Sequence, residues 1–189
     1  MNEFTEIADE VLGDLLGMHG FVRVDKVRDL AMFESATCTL TVGHDSQRSN
    51  EVFMGLNRRN GTCGPDFNFS EVIRAASVPS GLQPMGYAVR DEKSVRHLLQ
   101  TMAALLATYC VPLLRGDYGA WSTLISQRDA DAAHYASENR VRLALNGAIE
   151  AWHTKDFARI VEILGPVRPM LGASDLAKLE YAERKLRDH

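Results

Sequence analysis

Hydrophobic and polar residues alternate regularly in the middle of the N-terminal half of this chain. In the sequence TCTLTVG, residues Thr37–Gly43, each apolar side chain is followed by a threonine or glycine. This period of two is typical of a β-strand with one buried face. Val52, Met54 and Leu56 repeat the pattern after the turn-rich sequence HDSQRSN of residues 44–50. The two segments therefore predict an antiparallel hairpin with a long loop.

Shorter segments on both sides of this hairpin also predict strands. Phe21–Asp25 and Leu30–Glu34 precede it, and Phe67 and Phe69 mark one more short strand after it. Ser70 is a suitable N-cap for the short helix that follows, because its hydroxyl can accept a hydrogen bond from a free backbone N–H. We expect a meander of four or five antiparallel strands with helices on one face.

Two amphipathic helices are predicted around this meander. In the first, for which Thr5 or Asn2 is the predicted N-cap, apolar residues recur at steps of three and four, and the acidic residues form the other side. The second is the apolar run Val95–Leu114, with Asp91 or Ser94 as its N-cap and a kink or end at Pro112. His97, Gln100, Thr101 and Thr108 interrupt this run, so it predicts a buried core helix rather than a membrane span.

The pattern after Gly116 is helical throughout. Asp117 caps a predicted helix, a second helix runs from about Ala130 to Trp152, and Ser174 is the expected cap of the last one. The predicted fold class is therefore α+β, with an α+β part over residues 1–115. A helical part over residues 116–189 is expected to pack on it as one folding unit.

Composition restricts the functional classes. The 189 residues carry a net charge of −4 with a pI of about 5.9, which does not favour binding to nucleic acid. The acidic N-terminus lacks the basic start and apolar core of a signal peptide. The three cysteines are odd in number and widely spaced, which fits a reducing cytoplasm. We expect a cytoplasmic protein without a membrane partner.

Catalytic signatures are missing from the sequence. No phosphate-binding loop, GxSxG elbow or HExxH pattern occurs, and the six histidines lack the spacing of a metal site, so no metal or cofactor is predicted. One possible function is nevertheless that of a small-ligand binder or an enzyme with a pocket between the meander and the central helix. Its candidate lining comprises His97, Tyr109, Tyr87 and the loop cysteine Cys63.

The polar face of the meander and the loops at its ends are the candidate surface for a partner, because loops on a rigid scaffold commonly carry binding residues. The predicted contact residues are Thr39, Thr41, His44, Arg48, Arg58 and Arg59.

Parts of the sequence resemble two known kinds of protein. ALNGAIEAWHTKDFARIVEILGP resembles a single tetratricopeptide-type helical hairpin, with small residues at Ala144, Gly147 and Ala148 and an aromatic at Trp152. The segments LLGMHGF, LTVGHDSQRSNEVFMGL and AWHTKDFARIVEILGP together resemble small uncharacterised bacterial cytoplasmic proteins, some of them similar to immunity proteins of polymorphic toxin systems.

The second resemblance implies a non-enzymatic protein-binding module that neutralises a toxin by steric occlusion. A modestly acidic protein suits a basic toxin domain, because complementary charge accelerates encounter. A third possibility is a helical adaptor that binds through the C-terminal hairpin. The oligomeric state is not predicted.

Overall fold

The computed structural model describes residues 4–27, 29–59 and 66–188, with only the backbone described for residues 25–27. Its contacts divide the chain into two compact units, residues 1–128 and 129–189. The division falls within one long helix, thirteen residues after the predicted boundary at residue 115. The packing of the helical part on the α+β part stays a prediction.

The first unit contains a five-stranded antiparallel meander, which confirms the predicted α+β class. The strands pair in chain order, and in the central hairpin Leu40 lies opposite Leu56 and Val42 opposite Met54. The strands are β1 Val22–Val27, β2 Leu30–Glu34, β3 Cys38–Asp45, β4 Glu51–Arg58 and β5 Phe67–Asn68.

Helices cover one face of this sheet. The apolar residues of β3 and β4 that alternate in the sequence, such as Leu40 and Leu56, are buried in a core that they share with the helices. The helices of the first unit are α1 Phe4–Gly17, α2 Phe69–Ala75, α3 Glu92–Tyr109 and α4 Val111–Leu114. The predicted core face of the hairpin is therefore confirmed.

Ion pairs connect α1 to its neighbours beside this core. The Arg23 guanidinium lies 3.0 Å from the Asp9 carboxylate, and Arg96 of α3 lies 2.7 Å from Glu10. Thr5, a predicted cap of α1, is instead buried inside the first turn, because the helix already includes Phe4. The alternative cap, Asn2, lies outside the described residues.

The central helix begins where the sequence predicts. The Asp91 carboxylate accepts a hydrogen bond from the Ser94 backbone N–H, and the Ser94 hydroxyl accepts one from the Asp91 N–H, which forms a capping box. The predicted run to Leu114 divides at Cys110, and Pro112 then lies in the first turn of α4, where its missing N–H costs little.

The second unit is helical. α5 Tyr118–His153 starts in the first unit and extends into the second, and α6 Phe157–Leu164, a 3₁₀ segment Gly165–Met170 and α7 Ala173–Arg187 follow. The small core of this unit contains Ala148, Ala151, Ile160, Leu164, Leu179 and Ala182.

Three predictions about helix ends in this region have different outcomes. Asp117 accepts a hydrogen bond from the Ala120 N–H, which confirms it as the cap of α5. The two predicted helices form one continuous helix. Ser174 lies inside α7, whose N-cap position is Gly172, so that prediction is wrong.

None of the helices in the described ranges combines the length and the apolar character needed to cross a lipid bilayer.

Candidate interaction surface

The sheet face opposite the helices carries exposed apolar side chains. Val22 and Phe53 are 63% and 50% exposed on this face, and Thr39 and Thr41 lie between them in the register, partly exposed. Val24, at the bulge of β1, has no partner in the register and is 46% exposed. We call this surface, defined by these five residues, the open face. Exposed valine and phenylalanine on a rigid sheet give a partner apolar area to bury at little ordering cost.

Glycine makes the position of Phe53 possible. Gly43 lies opposite Phe53 in the register, and the Phe53 ring occupies the space that a Cβ of residue 43 would need. A similar approach occurs at Gly55, where the side chain of Asp66 lies 3.0 Å from an ideal Cβ and also accepts a 2.8 Å hydrogen bond from Asn57. On this side of the sheet, the side chains of Phe53 and Asp66 therefore pack directly against the backbone of Gly43 and Gly55.

A cleft of about 740 Å³ adjoins the open face at the end of the β3–β4 hairpin. Three carboxylates line it, those of Asp29, Asp45 and Glu51, together with the aromatic residues Phe53 and Tyr87. No lysine or arginine occurs among its described lining residues, although Arg48 lies in the exposed turn nearby. The cleft therefore has an acidic character.

Two of these carboxylates come from adjacent strands. Asp45 and Glu51 are direct partners in the β3–β4 register and share the open side of the sheet. Asp45 accepts hydrogen bonds within the turn from the Arg48 N–H at 3.2 Å and the Ser49 hydroxyl at 3.3 Å. Glu51 is exposed. Like charges directly opposite in a sheet destabilise it slightly.

Tyr87 also lines the cleft. Its backbone carbonyl accepts a 2.8 Å hydrogen bond from the Val52 N–H, and Val89 donates to the Asn50 carbonyl, so this segment pairs with the start of β4. The Tyr87 hydroxyl lies 2.8 Å from the Ser70 hydroxyl, and its ring packs edge-on against Phe69. Tyr87 is thus held in place by backbone and side-chain contacts.

The predicted contact residues do not lie on one surface. Thr39 and Thr41 belong to the open face, but His44 shares the side of Leu40 and Val42, and its ring lies 5.6 Å from that of Phe4. Strand alternation explains this placement.

The three predicted arginines lie at opposite ends of the β3–β4 hairpin. Arg48 is in its turn, whereas Arg58 and Arg59 are at the far end of β4. Arg59 also donates to the Ser35 carbonyl at 3.0 Å and lies 3.4 Å from the Glu34 carboxylate. Since an eight-residue strand is roughly 27 Å long, these residues form no single basic patch.

The predicted pocket residues are separated as well. Tyr87 lines the acidic cleft, Tyr109 lines a different cavity beside Pro112 and Ala120, and His97 is exposed on α3. Cys63 lies outside the described residues. Between the meander and α3, the structure shows packed core side chains.

The two described cysteines, Cys38 and Cys110, are buried in the core. Burial raises the pKa of the Cys110 thiol to about 12 and also raises that of Cys38, so neither is a ready nucleophile. No group of histidine, cysteine and carboxylate side chains suited to a metal ion occurs among the described residues.

The contact residues predicted from the sequence do not include Val22, Val24 or Phe53. Strand alternation could have identified Phe53 as exposed. Val52, Met54 and Leu56 point to the core, so Phe53 between them must point outward. The exposure of Val22 and Val24 was not foreseeable in this way, because a β-bulge between Arg23 and Asp25 shifts the register of β1.

Comparison of the chain with protein-family models, curated protein sequences and solved structures gives no significant match.

Proposed function

We propose that this protein is a non-enzymatic protein-binding module that contacts its partner through the open face. The observation that carries the proposal is the exposure of Val22 and Phe53 on one side of a sheet whose other side is packed against helices, together with the exposure of Val24 at the bulge of β1. A partner that covers these side chains would remove them from water, and this burial of apolar surface would stabilise the complex.

The specific form that we propose is toxin neutralisation by steric occlusion. The acidic cleft beside the open face and the net charge of −4 both suit a basic partner, such as a nuclease-type toxin domain. The resemblance to immunity proteins supports the same form. In this mechanism the bound protein covers the substrate surface of the toxin and needs no reactive group.

The alternative function is binding of a small ligand in the acidic cleft. It is favoured by one observation, the convergence of carboxylate, hydroxyl and aromatic groups from Glu51, Ser70 and Tyr87 on one cavity. This cleft lies at the outer edge of β4 and not at the interface of the meander with α3.

Affinity capture from an extract of the native host tests the protein-binding function. The double variant Val22→Gln/Val24→Gln removes apolar surface from the open face without changing the charge. The matched control is Leu143→Gln/Ile149→Gln, because these side chains are 61% and 57% exposed in the second unit. We expect a basic protein to be captured by the wild type and the control but not by the open-face variant. Identical captured proteins for all three would contradict the proposal.

A further inference from the structure

We propose that the partner protein adds an extended strand to the outer edge of β1. This inference rests on the proposed protein-binding function and names the kind of segment that the partner supplies. It commits to an extended chain because an edge strand leaves a row of backbone N–H and C=O groups free, and the backbone of another strand matches their spacing.

The first argument is the position of β1 in the sheet. The strands pair in chain order, so β1 lies at one end, and it pairs with β2 from Val22 to Val27. In an antiparallel ladder, every second residue directs its backbone groups away from the paired neighbour. The part of the chain that the structure describes supplies no backbone hydrogen bond to these outward groups of β1.

The second argument is the contrast with the opposite edge of the sheet, which the chain covers itself. β5 pairs with Gly55 and Leu56 of β4, and the Val52 N–H donates to the Tyr87 carbonyl where the segment 87–89 pairs with the start of β4. Within the described ranges, the sheet is therefore closed at one edge and open at β1. An open edge of six residues can accept a further strand.

The third argument comes from the side chains beside this edge. Proteins commonly protect a free edge with charged side chains that project across it. Arg23 does not do so, because it lies 3.0 Å from the Asp9 carboxylate and donates to the Met32 carbonyl of β2 at 3.3 Å. Val22 and Val24 are exposed and apolar. Alternate side chains of an added strand can pack against them.

The bulge of β1 limits the length of the added ladder. The register with β2 shifts between Arg23 and Asp25 and is regular over residues 25–27. A bulge bends the strand and increases its twist, so we expect the partner strand to pair on one side of the bulge only. Such a short ladder binds weakly by itself. The apolar surface of the open face, to which Val22 belongs, supplies the remaining contact.

Hydrogen exchange followed by NMR spectroscopy tests the open edge in the free chain. We expect the β1 amides that face away from β2 to exchange at least roughly tenfold faster than the amides of β3. β3 is the internal control, because it pairs with β2 on one side and with β4 on the other. Equal protection of all amides in β1 and β3 would show that the edge is already covered, which would overturn the inference.

A phage-displayed library of random dodecapeptides, selected on the full chain, tests binding to this edge. N-methylation of a selected peptide removes one backbone donor at a time. We expect the affinity to fall at least roughly tenfold for every second amide and little for the amides between them, because alternate amides of an added strand face β1.

A pair of variants of the chain complements the modified peptides. Val24→Lys places a charged side chain beside the edge and is expected to weaken peptide binding at least roughly tenfold. The matched control Leu143→Lys changes a residue that is 61% exposed in the second unit, and it is expected to bind like the wild type. Selection of no peptide, equal effects of N-methylation at all positions, or equal binding by the two variants would each contradict strand addition.

The two proposals fail on different measurements. If a host protein captured through Val22 and Val24 leaves the exchange of the outward β1 amides unchanged, only the added strand is wrong. If peptides pair with β1 but no host protein is captured, only the protein-binding function is contradicted.

Discussion

The carbonyl oxygen of Leu113 joins three segments of the first unit. It accepts hydrogen bonds from the Trp121 indole N–H at 3.0 Å, the Cys38 thiol at 3.3 Å and the Gly116 backbone N–H at 3.0 Å. Trp121 and Cys38 are fully buried. These bonds fix the start of α5 to strand β3 and explain why both polar atoms are tolerated in the core.

Gly116 is required by this junction. Its φ angle is +75°, and an added Cβ would lie 2.7 Å from the Thr37 Cβ. We predict that Gly116→Ala destabilises the protein by about 2 kcal/mol, because a side chain at this backbone conformation is strained and also clashes. Urea unfolding followed by circular dichroism measures the effect.

The control for this substitution is Gly13→Ala in α1, where no atom lies within 4 Å of the added Cβ. Alanine is expected to stabilise this helix by roughly 0.5–1 kcal/mol. Equal effects of the two substitutions would contradict the role assigned to Gly116.

Glu71 contributes stability that depends on pH. Arg128 donates two 2.8 Å hydrogen bonds to its carboxylate, and these bonds hold the pKa of Glu71 below its ordinary value. A lowered pKa in the folded state means that the contribution is complete above the unfolded pKa of about 4.3 and is lost as pH falls through the folded pKa.

We therefore predict that Glu71→Gln lowers the free energy of unfolding at pH 7 and flattens its decrease below about pH 4.3. Urea unfolding at a series of pH values measures both effects, with Glu180→Gln as the control. A variant curve parallel to that of the wild type across this range would show that the Arg128–Glu71 pair has no such role.

Strand alternation predicts on which side of the sheet each residue lies, provided that it is applied up to the last residue of the strand. Cys38, Leu40 and Val42 were assigned correctly to the core, and the same count places His44 with them and Phe53 opposite. His44 was assigned to the surface because it begins a turn-rich sequence. The strand continues to Asp45, however, so alternation still applies there.

The N-cap of helix α2 is Asn68, so the prediction of Ser70 as its cap is wrong. The Asn68 side chain accepts a 3.0 Å hydrogen bond from the Glu71 N–H, and Glu71 accepts one from the Asn68 N–H, so the predicted cap Ser70 lies inside the helix. Phe69 correspondingly belongs to the helix and not to β5. Asn and Ser are similarly good caps, and only the start of the helix decides between them.

We predict that Asn68→Ala destabilises the protein by about 1 kcal/mol, whereas Ser70→Ala has a smaller effect. Chemical denaturation of the two variants under the same conditions measures the difference. A larger loss for Ser70→Ala would place the cap where the sequence alone suggested it.

In the region of the long helix α5 the predicted helical structure is confirmed, but the predicted start of a second helix at about Ala130 is wrong. The apolar stripe of its first turns lapses after Arg128, which suggested two helices. In the structure, every residue from 129 to 136 is exposed, yet the helix continues. Alanine-rich sequence has high intrinsic helix propensity, and it needs no buried face to remain helical over two turns.

The exposed stretch of α5 coincides with the division between the two units. Residues 129–136 have no buried side chain, whereas Trp121 and Ala148 are buried in separate cores. We predict that amide hydrogens in this stretch exchange faster than those of the flanking turns, because packing opposes local opening only at the two ends. Hydrogen exchange followed by mass spectrometry measures this profile. Uniform protection along α5 would contradict the division into units.

The acidic cleft was not predictable from the sequence. Asp29, Asp45 and Tyr87 come from three separate segments, and only strand pairing and the pairing of Tyr87–Val89 with β4 bring them together. The meander itself was predictable, because its hydrophobic alternation is local. Sites formed by distant segments depend on the register of every intervening element.

The dissociation constant of the captured partner tests the central claim most directly. It should be measured by calorimetry for the wild type, for Val22→Gln/Val24→Gln and for Leu143→Gln/Ile149→Gln. We predict that the open-face variant binds at least about tenfold more weakly, a change of roughly 1.4 kcal/mol in binding free energy, while the control binds like the wild type. Equal affinity of the open-face variant and the wild type would show that the partner binds elsewhere.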